Sequence, residues 1–213
     1  MSFESYRLKG CLSTLLMLLL PIVAGISIAF MSLFGLSTRP NPYITIIFII
    51  PNFVGYILFL VAMNGFAKYY DEPKIFKNSL YVLLVSITGG IASLVLSYIF
   101  ITPILDQLTI YLPSPGNFPT ISIISSFLQV LVFILATMSV MGILNGFFYR
   151  RAFYALAEKS GEKNFKQAGL FMFIGGFLMI ILVGSLLFFI GLIFATIGFF
   201  SMKPKSSQTN SIQ

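Results

Sequence analysis

The sequence predicts an all-α protein, a polytopic transmembrane bundle of six helical spans, or of five if residues 170–200 form a single helix. Three observations predict it. Residues 170–200 carry no charge, and their most polar members are Ser185 and Thr196. Four further apolar stretches precede them, at residues 12–36, 44–67, 79–101 and 121–148, and all of the 13 basic and 6 acidic residues fall outside the five stretches. Finally, 58% of the chain is hydrophobic and only 9% charged, too few charges to coat a water-soluble protein of this length. Lipid enforces such segregation, because an ionised side chain at the bilayer centre costs several kcal/mol. A membrane β-barrel is excluded, since its strands are about ten residues long and alternate in polarity.

The first stretch follows a short segment carrying Arg7 and Lys9, a positive flank that favours the cytoplasmic side. It is too long for a signal-peptide core and lacks a small-residue cleavage pattern, so it reads as a retained span, kinked at Pro21. Leu8-Lys9-Gly10-Cys11 stands before the apolar run, not after it, which rules out a lipoprotein cleavage site and leaves Cys11 an ordinary thiol at the membrane edge. Residues 37–43, with two prolines and Arg39, read as an external turn. The second span, interrupted at Pro51-Asn52, exits through a linker with Lys68, Lys74 and Lys77 and a break at Pro73. In the third, Gly89-Gly90, Ser93 and Ser97 make a small face on which another helix can lie close.

Residues 102–120 hold four prolines and one charge, Asp106, and read as an external loop whose first half can form a short interfacial helix. The fourth span continues as an amphipathic helix: Tyr149, Phe153 and Leu156 or Ala157 recur on one face, while Arg150, Arg151, Glu158 and Lys159 take the other. Ser160-Gly161 ends it. As one helix, residues 170–200 would be roughly 46 Å long against a hydrocarbon core of about 30 Å. Two spans turning at Val183-Gly184-Ser185 fit better, with the fifth borrowing from residues 164–169. This choice also places all but Arg39 of the 13 basic residues on the cytoplasmic side, whereas five spans put Lys203 and Lys205 outside as well. Residues 1–202 then form one integral membrane domain and residues 203–213 a disordered cytoplasmic tail.

Two cytoplasmic hairpins share a Lys-x-Phe-Lys-amide pattern, at Lys74 to Asn78 and Lys163 to Gln167, each ahead of a Gly-Gly pair. As an internal duplication they would be parallel repeats about an axis along the membrane normal. The run from Tyr149 through Arg150, Arg151, Phe153 and Glu158 to Gly161, then Phe165, Ala168-Gly169, Gly184 and the closing Ala195-Thr-Ile-Gly-Phe-Phe-Ser201, resembles a largely archaeal family of small multi-span membrane proteins, domain of unknown function 996. Tyr70-Asp71 and Ile75-Phe76-Lys77-Asn78 are similar to it too. The resemblance implies an archaeal cell-membrane protein and brings no activity or site with it.

The chain offers little for chemistry. It has no His and one Cys, so haem, copper, iron-sulfur and ordinary zinc sites lack donors, and no cofactor or metal is expected. Asp71, Glu72, Glu158 and Glu162 sit in basic linkers where exposed ion pairing is their default role, no phosphate loop or nucleophile elbow occurs, and no enzyme is expected. The amides Asn52, Asn64, Gln129 and Asn145 can line a polar path or simply join helices by hydrogen bonds. Gly184, Gly191, Ala195 and Gly198 seat one helix closely on another, within the bundle or in an oligomer. Arg150, Arg151, Lys159, Lys163 and Lys166 can meet lipid head groups or a soluble partner, or only fix topology.

The net charge of +7 reflects these flanks and implies no nucleic acid. Missing chemistry favours a structural or accessory subunit of a membrane assembly, partnered by the bilayer and by other membrane subunits; the alternative is a small-solute or ion transporter or channel. With both termini cytoplasmic, a reporter fused after Gln213 should be reachable only once cells are permeabilised. Labelling of intact cells checks this.

Overall fold

A computed structural model describes residues 2–33, 42–111, 121–181 and 183–204. It contains six α-helices: α1 (Phe3–Leu33), α2 (Pro42–Tyr69), α3 (Pro73–Tyr111), α4 (Ile121–Ser160), α5 (Lys163–Phe177) and α6 (Val183–Ser201), with a 3-10 segment (Leu178–Ile181) between the last two. Each helix packs on its neighbours in the sequence, and α1 closes on α6, so the six form a ring in chain order. Four described segments are long and apolar enough to cross a membrane: Phe3–Val23, Pro73–Ser93, Leu128–Ser160 and Val183–Ser201. Phe53–Tyr69 is a shorter apolar piece. Large apolar side chains face outward along the bundle, among them Ile91, Tyr98, Val132, Leu186 and Phe200. Water would not tolerate so much contiguous apolar surface, and lipid does.

The turns follow from local chemistry. Asp71 adopts a positive φ of 52° after α2, and the Glu72 amide donates back to the Ala67 carbonyl at 2.9 Å, a Schellman-type stop. Pro73 then occupies the first position of α3, where its missing N–H costs nothing. Gly161, with φ 75°, ends α4, and its amide donates to Ala157. The Glu162 carboxylate caps α5 by accepting from the Asn164 side chain at 2.6 Å and from its backbone amide at 3.4 Å. Both hairpin linkers with the repeated Lys-x-Phe-Lys pattern thus reverse through one left-handed residue and open the next helix. The α2–α3 and α4–α5 hairpins occupy successive thirds of the ring.

Three boundaries differ from those read in the sequence. Helix α1 begins at Phe3, well ahead of the apolar run, because Glu4 pairs with Arg7 at 2.7 Å and Phe3 and Tyr6 pack their rings on Phe66. Helix α3 runs on to Tyr111 and absorbs the first half of the expected external loop; after Pro103 the run Ile104-Leu105-Asp106-Gln107-Leu108 holds nothing that breaks a helix. The chain reverses over the 3-10 segment, before Val183, so Gly184 lies in the first turn of α6 and not in the connection. Its lack of a side chain serves close helix approach. The expected external turn at residues 37–43 lies mostly outside the described residues, as do residues 112–120 of the loop and residues 205–213 of the tail.

At the basic end, where the α2–α3 and α4–α5 turns and the start of α1 meet, the ring is filled. The buried hydrophobic cluster lies within about four helical turns of this end on every helix. Its centre is a junction of rings from α2, α4 and α6. Phe59 meets Tyr149 and Phe153, Phe66 stacks on Phe199, and Phe153 stacks on Phe165 of α5, which sits 4.9 Å from Phe199. Such pairs contribute about 0.5–1.5 kcal/mol each beyond the area they bury.

One polar atom in this cluster is unsatisfied: the buried hydroxyl of Tyr70 has no hydrogen-bond partner among the described residues. Burial, and then the neighbouring Tyr69, push its pKa up to about 12. The folded state therefore favours the neutral phenol, and the associated stability is present below the ordinary tyrosine value of about 10 and is lost as pH rises toward 12. Tyr70→Phe should leave the protein as stable or about 1 kcal/mol more stable at neutral pH, since it deletes an unpaired buried group. It should also flatten the alkaline decline in melting temperature between pH 10 and 12, measured in detergent beside the parent protein.

Candidate functional site

Beyond the ring junction the bundle opens into two adjoining cavities of about 250 and 270 Å³. Tyr56, Tyr149, Met179 and Phe188 line both. The first also touches Met17 and Pro21 of α1 and Ser185, Phe189 and Leu192 of α6. The second runs between α3 and α4, past Ser86, Gly89, Gly90, Ser93, Met141, Gly142 and Asn145. Tyr149 lies 11 residues before the end of α4, roughly 16 Å from the basic end, and Ser93 and Pro21 lie nearly 30 Å from it. The cavities therefore occupy the middle of the bundle, with the aromatic junction as their floor.

Helical periodicity puts the lining where it is. On α4, residues 138, 142, 145 and 149 recur every three or four positions, as do Ser86, Gly90 and Ser93 on α3. The small face of α3 read in the sequence does bring α4 close at Gly89, where Met141 would meet an added Cβ at 2.8 Å. At Gly90 it leaves a void, with nothing within 4 Å of an added Cβ. The polar groups are few, and four of them pair. Tyr149 is fully buried and its hydroxyl is hydrogen-bonded to that of Tyr56, while Ser86 Oγ donates to Asn145 Oδ1 at 3.4 Å. Among the described residues no charged side chain lines either cavity, and four methionines, Met17, Met138, Met141 and Met179, give adaptable walls. The arrangement can hold a small uncharged molecule with mixed polar and apolar surface. Among the described residues no group of three or more His, Cys, Asp or Glu comes together.

Of the amides singled out in the sequence, Asn145 lines the cavity. Asn64 is half-buried nearer the basic end, and Gln129 is exposed far along α4; neither is among the residues lining the two cavities. The Asn52 side chain lies outside the described residues. Tyr56, Ser86 and Tyr149 were not singled out as cavity residues. The signal available was a tyrosine in mid-span at Tyr56, away from the interfacial belts where that residue concentrates, and a serine at Ser86 in register with the Gly89-Gly90 and Ser93 face.

Gly184, Gly191, Ala195 and Gly198 are all buried on the face of α6 toward α5. Gly184 packs on the Gly175 carbonyl, Gly191 on Ala168 and Met172, and Gly198 on the Phe165 ring. The basic residues do not form one patch. Arg150 lies over Phe173 at 4.9 Å, on the α5 side, whereas Arg151 covers Phe147 at 4.4 Å. Lys159 pairs with Glu72 at 3.5 Å, tying the end of α4 to the α2–α3 turn, and Lys163 and Lys166 are exposed.

A model of the family described as Protein of unknown function (DUF996) matches residues 51–193. The chain belongs to this family. The match opens at Pro51 and ends within α6, so it takes in Tyr56, Ser86, Asn145, Tyr149 and Phe188 and leaves out α1. An uncharacterised protein of the archaeon Methanocaldococcus jannaschii is 25% identical over 164 residues, covering 73% of this chain and 81% of its own. No solved structure matches. The family resemblance carried by the Tyr-Arg linker is thereby borne out.

The two kinds of glycine separate in a stability test. Gly184→Ala drives a methyl into the Gly175 backbone and should destabilise the bundle by about 1–3 kcal/mol, whereas Gly90→Ala enters open space and should be neutral or gain up to about 1 kcal/mol of helix propensity. Melting temperatures of the two variants in one detergent measure the difference.

Proposed function

We propose that the protein resides in the cell membrane with its basic end and both termini in the cytoplasm, and that it binds and passes a small uncharged solute through the cavities above the aromatic junction. The observation that carries this reading is the pair of mid-depth cavities meeting at Tyr56 and Tyr149, with hydroxyl and amide groups on otherwise apolar walls. Ligand pockets have this chemistry: a mostly apolar surface with a few placed polar groups. The described lining, which holds no charged side chain, favours a neutral solute and disfavours proton coupling. Since Phe59, Phe153, Phe165 and Phe199 fill the basic end, passage needs those rings to move; a permanently open pore is not the reading. Glu4, Asp71, Glu72, Glu158 and Glu162 lie at the basic end, away from the cavities, so we read the protein as non-enzymatic.

The accessory-subunit reading rests on missing chemistry and on small-residue helix faces, and those of α6 are turned to α5 within the bundle. Stopped-flow shrinkage of proteoliposomes in glycerol or urea tests the two. We expect flux above protein-free vesicles that falls about tenfold in Asn145→Leu, the scale expected for losing a buried polar contact, with the variant still monodisperse in detergent. Flux no greater than in empty vesicles across a panel of neutral solutes, together with tightly copurifying membrane subunits, would instead favour the accessory role.

A further inference from the structure

We propose that the groove between the start of α3 and the end of α4 is a binding site for the phosphate headgroup of an anionic membrane lipid. This inference rests on insertion of the bundle in a bilayer and not on what the mid-bundle cavities hold. The groove, of about 680 Å³, is lined by Lys74, Lys77, Asn78 and Tyr81 from α3 and by Phe148, Arg151, Tyr154 and Glu158 from α4. Its size falls within the range of small-ligand pockets. Three cations face one carboxylate, and among the described residues none of Lys74, Lys77 and Arg151 forms an ion pair with a carboxylate. Two of the cations are already placed by aromatic rings: Lys77 Nζ lies 6.0 Å from the Tyr81 ring centroid, and the Arg151 guanidinium 4.4 Å from that of Phe147. An arginine so held presents its free donors as a fork suited to phosphate oxygens.

Depth identifies the source of the phosphate. The groove straddles the boundary between charged and uncharged sequence on both helices, Lys77 against Ser79 on α3 and Arg151 against Phe148 on α4. A lipid phosphate lies at that level. One or two helical turns further in, on the same faces, Leu84 and Leu144 are exposed apolar residues against which lipid chains can lie. Basic pockets between spans at a cytoplasmic surface recognise anionic headgroups by this combination of charge and depth. Glu158 disfavours a bare anion, but can accept a hydrogen bond from a headgroup hydroxyl, so a phosphoglycerol-type headgroup suits the lining better than free phosphate does.

The test is native mass spectrometry of the full chain released from nanodiscs of mixed phosphatidylcholine and phosphatidylglycerol. It compares Lys77→Gln/Arg151→Gln with Lys68→Gln/Lys203→Gln, which removes the same charge from exposed positions outside the groove. We expect the parent and the Lys68/Lys203 variant to retain phosphatidylglycerol in preference to phosphatidylcholine, and the groove variant to lose that preference by about tenfold or more, on the scale of about 1 kcal/mol per basic residue. An equal loss in both variants would overturn the site in favour of diffuse attraction. Displacement of the lipid by millimolar inorganic phosphate would overturn the lipid as its ligand. Should the groove variant not enter nanodiscs, melting of the parent protein in detergent decides: a rise on adding phosphatidylglycerol but not phosphatidylcholine or phosphate supports the proposal, and equal responses overturn it.

Discussion

The architecture depends on how closely helices can approach when lipid, not water, surrounds them. Lipid tails are as apolar as leucine, so burying apolar surface gives no preference for helix against helix over helix against lipid, and close packing must supply it. This chain obtains that packing in two ways. On the α4–α5–α6 side, glycines bring backbones together: Gly176 lies on Gly142, Gly146 on Met172 and Gly184 on Gly175. At the centre of the basic end, α2, α4 and α6 meet through large rings whose stacked and edge-on contacts fix their spacing. Small residues set the periphery and large ones the axis, and the ring of six helices follows from both.

The cavities are a consequence of the same division. The aromatic junction reaches up to Tyr149, and above it no comparable set of rings fills the axis among the described residues. Tyr56 and Phe188 complete the floor, and the small face of α3 stands opposite α4 with too little volume to close the gap at Gly90. The space left over is therefore lined by whatever the helical repeat places there, a few hydroxyls, an amide and thioethers. That composition accounts for a neutral-solute reading.

The helices and their number were legible because they depend on one-dimensional facts: runs without charge, basic flanks, and punctuation by Pro73 and Gly161. The amphipathic end of α4 was equally plain, since Tyr149, Phe153, Leu156 and Ala157 follow the helical period and are all buried. What escaped was three-dimensional. Gly184 carries the same signal whether it turns the chain or lets two backbones touch, and the Gly175 carbonyl that decides between them lies in another helix. Asn145 stood out as an amide in a span, yet its partner Ser86 lies 59 residues away, and Tyr149 read as a packing residue with nothing to show that it also floors a cavity. The basic cluster looked like one feature in the chain, but adjacent helical residues diverge by about 100°, so Arg150 lies over Phe173 of α5 and Arg151 over Phe147.

The ring is closed by a seam with no peptide link. Helices α1 and α6 meet where Thr196 Oγ1 donates to Thr14 Oγ1 at 2.8 Å, the Phe199 ring lies against Gly10 and the Arg7 guanidinium donates to the Met202 carbonyl at 3.3 Å. The Gly10 and Thr14 face of α1 thus stays uncovered until α6 has been made and inserted. Assembly is therefore not strictly vectorial. A chain lacking α6 would remain an open arc of helices, with the Gly10 and Thr14 face of α1 uncovered.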